Sequence, residues 1–256
     1  KANENQAYLP VIIEIDGETL LQGHTSDQLP VEFYAYASNQ QGEMLDFFTQ
    51  MVTIDLGQGR ERLASGGLKY YGHLDLAPGS YLVRVLVRNA ETGRTGVESL
   101  PVEVPTFARV QPVLLTPFFL ENDTSWFLIR ESSGEGGQQS VVYPFTVNGE
   151  PYVPAALPVL SQQQEARLCL VAYNLGEGEF EIDATIVAED GTVIEKADLL
   201  LEQRTVTGIA GLDRFLATFR PHGLVAGRYQ LRVALHSPES GLLQASSVPF
   251  ALGEAH

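Results

Sequence analysis

Histidines are the first residues to consider for chemistry, because a positioned imidazole is the commonest acid or base in enzymes. The chain has five of them: His24, His73, His222, His236 and His256. No two have the helical spacing of a zinc site, and the chain has neither a glycine-x-serine-x-glycine elbow nor a phosphate-binding loop with its lysine. The sequence therefore predicts no catalytic residues, no cofactor and no enzymatic activity.

One cysteine, Cys169, is present, so neither an intramolecular disulfide nor a cysteine-based zinc site can form within the chain. It lies in the apolar run Leu168-Cys169-Leu170-Val171. A reactive thiol needs basic, accessible surroundings, which this run does not offer. We therefore expect Cys169 to act as a small buried hydrophobe.

Carboxylates are abundant, with 32 Asp and Glu against 16 Lys and Arg, a formal net charge of −16. Acidic turns occur at residues 121–123 and 189–191, but neither alternates Asp and Asn around a glycine as a calcium loop does. We predict no metal site, although a calcium ion at a domain junction stays open as an alternative. Because the negative charge repels phosphates, we expect no nucleic-acid partner.

Membrane insertion is not expected, since no apolar run approaches the roughly 18–20 residues of a spanning helix. The first residues also lack the apolar stretch of a signal peptide. Without an initiator Met, the chain is expected to be a piece of a longer polypeptide.

Surface aromatic residues would suit a carbohydrate ligand, because sugar rings stack on aromatic faces. Trp126, the only tryptophan, lies in an apolar run that is more typical of a core. Phe47-Phe48 and Phe118-Phe119 are neighbours in predicted strands, where successive side chains point to opposite faces. One ring of each pair must point away from its own core, toward another domain or a ligand.

An internal repeat indicates how these residues are positioned. Residues 76–85 (LAPGSYLVRV) match residues 224–233 (LVAGRYQLRV), and three later points match at the same offset of 148. Upstream, residues 16–18 resemble residues 148–150 and residues 34–39 resemble residues 169–174, at offsets of 132 and 135. We interpret the changing offset as loop insertions in the second copy.

Each copy contains about seven short strands in roughly 100 residues, separated by turn residues, which is the size of an immunoglobulin-type sandwich. The sequence predicts an all-β chain of two tandem immunoglobulin-like (fibronectin III-like) antiparallel β-sandwich domains. Their predicted extents are residues 1–108 and 109–256, with a boundary between Pro105 and Gln111 and a loop insertion at 131–140. Residues 113–120 and 126–130 are two further strands, of the second sandwich or of the interface between domains.

The shared leucine-x-x-glycine-x-tyrosine motif has a structural interpretation. Gly79 and Gly227 would supply a positive φ in a tight turn. Tyr81 and Tyr229 would bury their rings and bond their hydroxyls to backbone a few residues upstream, as in the tyrosine corner of Greek-key sandwiches.

Residues 74–105 and 154–175 resemble a region of large bacterial proteins related to the von Willebrand factor A family, in which β-sandwich domains follow an N-terminal A-type domain. The A-type domain and its metal-adhesion serine motif are absent here, so no residue role is carried over. The resemblance implies an accessory region of an exported bacterial protein, hence an extracellular or periplasmic location.

Together these observations predict a non-catalytic module that spaces or presents a neighbouring domain and contacts a protein partner. A carbohydrate-binding module is the alternative, and a hydrolase of unfamiliar type is a remote one.

Overall fold

A computed structural model of the chain describes residues 6–106, 112–121, 126–130, 145–147, 149–156, 158–175, 180–206, 211–238 and 241–253. The helices within these residues are α1 (Gly17–Leu21) and α2 (Arg60–Gly66). Strands β1 to β10 are Ala7–Ile15, Gln28–Ser38, Met44–Asp55, Leu68–Leu76, Gly79–Asn89, Thr95–Val104, Val113–Leu114, Phe118–Phe119, Phe127–Arg130 and Thr146–Val147. Strands β11 to β19 are Glu150–Pro151, Val159–Leu160, Ala166–Tyr173, Glu181–Ala188, Val193–Lys196, Asp198–Val206, Leu212–Arg220, Gly227–Ser237 and Gly241–Leu252. Neither helix has the length or the apolar character needed to cross a bilayer, as far as the described residues go.

The chain divides into two compact units, residues 1–106 with 123–144 and residues 107–122 with 145–256. The sequence prediction placed everything after residue 108 in the second domain, and for β9 this is wrong. Strand β9 pairs in parallel with β4 of the first unit, from Leu68 opposite Phe127 to Tyr71 opposite Arg130. Strand β4 pairs with β1 on one side and with this strand from later in the chain on the other, and no local sequence pattern reveals such a partner. Residues 107–111, at the predicted boundary, and the predicted insertion 131–140 lie outside the described residues.

Two sheets form the first unit, one with the strand order β1-β4-β9 and one with the order β3-β2-β5-β6. They pack face to face: the ring of Phe33 on β2 stacks on Tyr70 of β4 with 4.2 Å between centroids. Phe48 on β3 completes this contact at 5.7 Å from Tyr70. Gly72 makes room for it, since a Cβ there would lie 2.8 Å from the Phe48 ring.

The second unit has the same construction, with sheets ordered β12-β19-β18-β14-β15 and β16-β17-β13-β7 and a short pair β10-β11. Its core draws on both large sheets, because strands alternate inward and outward side chains. Leu168 and Phe219 come from one sheet, and Leu231 and Phe250 from the other. The predicted all-β, immunoglobulin-like sandwich fold is confirmed.

The C-terminal hairpins of the two units repeat each other in register. Gly79 pairs with Val104 in the β5–β6 hairpin, and Gly227 pairs with Leu252 in the β18–β19 hairpin. Both positions are offset by 148 residues, as is the next matched pair, Tyr81–Val102 and Tyr229–Phe250. The predicted repeat is therefore confirmed at this end of each sandwich.

The upstream match of residues 34–39 with residues 169–174 is wrong, and the match of 16–18 with 148–150 falls partly outside the described residues. Residues 34–39 lie mostly in β2, which pairs with β5, whereas residues 169–174 lie mostly in β13, which pairs with β17. The strand that occupies the place of β2 in the second unit is β14, which pairs with β18. Apolar alternation is the same in any buried strand, so similarity of such short runs does not identify which sheet a strand joins.

Asp16-Gly17, a pair whose sequence also suits a tight hairpin turn, is a helix start here. Asp16 caps α1, where its carboxylate accepts a hydrogen bond from the Thr19 N–H at 2.7 Å. Hydrogen bonds from the side chain of Thr19 and from its backbone N–H lower the pKa of Asp16. Gly17 is required because a Cβ there would lie 1.7 Å from the Leu63 carbonyl oxygen of α2. Aspartate is both a turn residue and an N-cap residue, and packing against α2 decides between them.

Both predicted tyrosine corners are present. The hydroxyl of Tyr81 donates to the Ala77 carbonyl and that of Tyr229 to the Val225 carbonyl, each at 2.8 Å. Both tyrosines are buried. The predicted positive φ occurs at one of the two glycines and not at the other. The φ angle is +155° at Gly79, but it is not positive at Gly227. Both glycines lie against the tyrosine, but a Cβ would be crowded at Gly79 alone, 3.3 Å from the Tyr81 hydroxyl, while the 3.5 Å to Tyr229 at Gly227 is an ordinary contact.

Candidate interaction surface

The sheet β3-β2-β5-β6 of the first unit has one face in the core and one in solvent. Side-chain alternation along β2 buries Val31, Phe33 and Ala35 and turns Tyr34 and Tyr36 outward. Strand register then places Thr49, Tyr34, Leu86 and Val97 in one row across all four strands. We call this solvent-facing side the outer face.

The outer face is rich in apolar and aromatic side chains. Phe47 and Met51 of β3 are 59% and 64% exposed, and Val97 of β6 is 56% exposed. Further exposed large side chains on this face are Tyr34, Met44 and Leu82. Contiguous apolar surface of this kind on a folded unit marks an interaction site more often than chance exposure of single residues does.

The arginines of the outer face are held by neighbours on the same face. Arg84 donates from Nη1 to the Tyr36 hydroxyl and from Nε to Ser99 Oγ, both at 3.0 Å. Arg88 Nη1 lies 3.4 Å from Glu32 Oε2 across the β2–β5 pair. By strand register Asp55 and Glu103 also lie on this side, so the face holds two arginines and three carboxylates. Arg88 has a carboxylate partner within the face, whereas Arg84 is held by two neutral hydroxyl groups.

A surface depression of about 470 Å³ lies at one end of the outer face. Its floor and walls come from the ends of β2, β3 and β5 and from the turn between β2 and β3. The residues that line it are Tyr36, Ser38, Asn39, Gln40, Gly42, Met44, Leu82 and Arg84. It is open to solvent, and its lining is more apolar than polar.

The residues that the sequence singled out for chemistry are dispersed. His24 is buried with Nδ1 3.3 Å from Glu91 Oε2, and His236 Nε2 lies 3.3 Å from Asp183 Oδ2. His73 stacks on Tyr8 at 4.4 Å, and His256 lies outside the described residues. No group of three or more His, Cys, Asp and Glu side chains that could hold a metal occurs in the part of the chain that the structure describes.

Cys169 is buried, as predicted, and burial raises the pKa of its thiol to about 12. It therefore lacks the thiolate character of a nucleophile. In the acidic turn at 189–191, Asp190 accepts the Thr192 N–H at 2.9 Å, which lowers its pKa. The other acidic turn, 121–123, lies largely outside the described residues.

The phenylalanine pairs divide as predicted, one ring in and one ring out of the core. Phe48 is buried while Phe47 is exposed on the outer face. Phe119 is buried, and Phe118 packs edge-on against Phe145 at 5.0 Å within the second unit. Only the outward ring of the first pair is thus left to a ligand. The sequence predicted that one ring of Phe47-Phe48 would point outward. It did not predict the neighbours of Phe47, because these depend on strand register.

Trp126 is half-buried rather than a core residue. The ammonium of Lys69 lies 3.9 Å from its ring centroid, and Lys69 also pairs with Glu14 at 2.5 Å. The sole tryptophan is therefore engaged by the β1-β4-β9 sheet of the first unit, away from the outer face.

No protein-family profile matches the chain, and no curated protein sequence matches it. Among solved structures, the chain is similar to the fibronectin(III)-like modules of Clostridium thermocellum CbhA, with 13% identity and a TM-score of 0.26, covering 97% of this chain and 90% of that one. It is also similar to a family 123 glycoside hydrolase from Clostridium perfringens, with 10% identity and a TM-score of 0.24. That match covers 38% of this chain and only 21% of the hydrolase.

Proposed function

We propose that the first unit is a non-catalytic interaction module that binds a partner protein through its outer face. The observation that carries this is the exposed cluster of Phe47, Met51, Tyr34 and Val97 on one face of the sheet. Aromatic residues, methionine and arginine are the residues enriched at the cores of protein interfaces. Arg84, Arg88 and two tyrosines complete that composition here.

The partner surface suited to this face is apolar. Arg84 and Arg88 are bonded within the face, which holds their guanidinium groups beside the apolar side chains. An aliphatic or aromatic surface would bury Phe47, Met51 and Val97 at about 25 cal/mol per Å² of apolar area. The negative charge of the whole chain disfavours a strongly acidic partner at long range.

The wider setting that we propose is an accessory region of a larger exported bacterial protein, which spaces or presents a neighbouring domain outside the cytoplasm. The resemblance of residues 74–105 and 154–175 to sandwich regions of von Willebrand factor A-related proteins supports this setting. The tandem arrangement of two sandwiches fits a spacer as well as a binding unit.

Photo-cross-linking tests the proposal. A benzoyl-phenylalanine at position 47 should form an adduct with one protein in the source organism, whereas the same group at the exposed Val193 of β15 should not. The recovered partner is then purified and titrated against two variants, Val97→Glu on the outer face and Val193→Glu on the second unit. The two valines are matched, at 56% and 58% exposure.

We expect Val97→Glu to weaken binding at least about tenfold, because a buried unpaired carboxylate costs more than ~1.4 kcal/mol. Val193→Glu should leave the affinity unchanged, and binding should show a negative heat-capacity change. Equal affinity of the two variants, or no adduct at position 47, would overturn the proposal.

A carbohydrate ligand is the second candidate, and the depression beside Tyr36 is the observation in its favour. Gln40 and Arg84 line it next to the Tyr36 ring, while the Asn39 side chain is bonded within the turn to Gln41 and Glu43. Glycan-array binding that is lost in Gln40→Ala and retained in Val97→Glu would favour it over protein docking. The absence of binding to any glycan on the array would exclude a carbohydrate ligand.

A further inference from the structure

Strand β3 is an edge strand whose protecting features, Asp46, Asp55 and a bulge opposite Ala37 and Ser38, lie toward its ends and leave residues 47–53 without a charge or a proline. Among the described residues its only strand partner is β2. It runs for 12 residues (MLDFFTQMVTID) and contains no proline and no lysine. The opposite edge of the same sheet, β6, carries Pro101 and two glutamates, which are common protecting features. The two edge strands of this sheet thus differ, because β6 contains a proline and β3 does not.

The backbone groups of β3 that point toward the open edge can be identified from the hydrogen bonds. The Leu56 N–H donates to the Asp27 carbonyl at 2.8 Å, so residues 27 and 56 are a hydrogen-bonded pair. Hydrogen-bonded and non-hydrogen-bonded pairs alternate along an antiparallel ladder. Counting back in register, Phe47, Thr49 and Met51 form non-hydrogen-bonded pairs with β2 and direct their N–H and C=O groups outward.

Two of these outward groups are bonded only locally, by neighbouring side chains. The Phe47 N–H donates to Asp46 Oδ1 at 2.9 Å, and the Met51 carbonyl accepts from Gln50 Nε2 at 3.3 Å. Both contacts are made between sequence neighbours at the surface, where water competes for the same groups. A pairing strand would replace them at little cost.

We propose that β3 pairs with β3 of a second copy of this chain, antiparallel and centred on Thr49. In this register Phe47 lies opposite Met51 of the second copy, and Met51 lies opposite its Phe47. The two most exposed apolar side chains of the outer face then contact each other twice. Aromatic–sulfur contacts and cross-strand apolar pairs both stabilise a sheet.

The same register satisfies the backbone and avoids charge conflict. The outward groups at positions 47, 49 and 51 meet their counterparts, which gives about six hydrogen bonds. Asp46, the sole ionisable residue of residues 46–52, lies opposite Val52 of the second copy rather than opposite another acid. A twofold axis at Thr49 makes the contact closed, so it ends at a dimer and does not build a fibre.

A second copy fits this edge better than a foreign strand does, because the pattern Phe47-x-Thr49-x-Met51 is complementary to itself. Strand pairing alone buries less than the ~1,600 Å² of a standard interface, so we expect a reversible dimer. Two chains of charge −16 repel each other, so added salt should strengthen the dimer.

Sedimentation velocity of the full chain over a range of concentrations tests the dimer directly. Thr49→Pro removes an outward N–H from the centre of the proposed ladder and leaves every β2–β3 hydrogen bond in place. Thr53→Pro is the matched control, since Thr53 has the same orientation but lies outside residues 46–52. We expect a dimer for the wild type and for Thr53→Pro, and at least about tenfold weaker dimerisation for Thr49→Pro. Thermal melts verify that both variants are folded.

Cysteine cross-linking tests the register. Paired Cα atoms at the axis would be about 5.5 Å apart, within disulfide range, so Thr49→Cys should form a covalent dimer under mild oxidation. The native Cys169 is buried and does not compete. Thr53→Cys places its two sulfurs about 27 Å apart in this register and should stay monomeric. A wild type that is monomeric at every concentration, or equal cross-linking of the two variants, would overturn the proposal, and a partner protein that adds its own strand to β3 would appear as a heteromer instead.

Discussion

Tyr81 shows how one side chain fixes the start of a strand. Its ring covers Gly79 and its hydroxyl bonds to Ala77, so it ties β5 to the turn before it. Tyr229 repeats this geometry in the second unit with Gly227 and Val225. Two independent occurrences of one arrangement indicate a structural role, which a ligand-binding residue would not need to share.

Replacing Tyr81 by Phe keeps the ring and removes the bond to Ala77, so we expect the free energy of unfolding to fall by about 0.5–1.5 kcal/mol. Replacing it by Ala also opens a cavity and should cost about 3–5 kcal/mol. Chemical denaturation measures both values. An alanine variant with wild-type stability would contradict the structural role.

Cys169 gives a pH-dependence with a defined sign. Its thiol has a pKa of about 12 in the folded chain, raised from 9.0 by burial. Between these values the unfolded state ionises first, so fewer protons are bound when the chain is unfolded. Stability supplied by the protonated thiol is complete below pH ~9 and is lost as the pH rises toward 12.

We therefore expect the free energy of unfolding to fall more steeply above pH ~9 in the wild type than in Cys169→Ala, measured by urea titration. The thiol of the folded chain should also react with a thiol reagent far more slowly than that of the unfolded chain. Equal pH slopes for the two proteins would show that Cys169 is accessible.

At the scale of elements, Gly67 connects α2 to the pairing of β4 with β9. It follows α2 with a φ of +77°, which favours glycine. A Cβ there would lie 2.5 Å from the Trp126 ring and 2.7 Å from the Ile15 carbonyl oxygen. Conformation and lack of space therefore both require glycine at this position.

Gly67→Ala should lower the free energy of unfolding by at least about 2 kcal/mol, since the cost of the φ angle and that of overpacking add. Gly23→Ala is the matched control, because its φ of +78° is nearly the same but no atom lies within 4 Å of its Cβ position. We expect about 1 kcal/mol there. Equal losses in the two variants would show that Trp126 moves aside without cost.

Elements differ in how far the sequence predicts them. The β5–β6 and β18–β19 hairpins were predictable because a glycine-tyrosine motif and alternation agree over a long stretch. Helix α1 was not, since five residues carry no helical period and Asp16 serves caps and turns equally. The pairing of β9 with β4 joins residues about 60 positions apart, and its apolar run fits any buried strand.

The outer face was predictable in one residue only. Alternation required one ring of Phe47-Phe48 to leave the core, and Phe47 does so. The register of four strands places Tyr34, Leu86 and Val97 beside it. This register depends on turn geometry and on the bulge near Ala37. A binding surface whose residues come together through strand register does not appear as a motif in the sequence.

At the scale of the whole molecule, charge is the dominant property. A net charge of −16 at pH 7 makes like charges repel more in the folded chain than in the expanded unfolded chain. Raising the ionic strength from about 0.01 M to 0.15 M shortens the Debye length from ~30 Å to ~8 Å and screens this repulsion. Salt should therefore favour the folded state at neutral pH.

We expect the melting temperature at pH 7 to rise by about 2–8 °C over that change in NaCl, the shift that ~1 kcal/mol gives for units of this size. The control is the protein itself near its isoelectric point of about 4.6, where the net charge vanishes and the salt effect should vanish with it. Scanning calorimetry at dilute, monomeric concentration separates this effect from dimer formation, which depends on concentration. A rise of equal size at both pH values would assign the effect to salt acting on apolar surface rather than to charge.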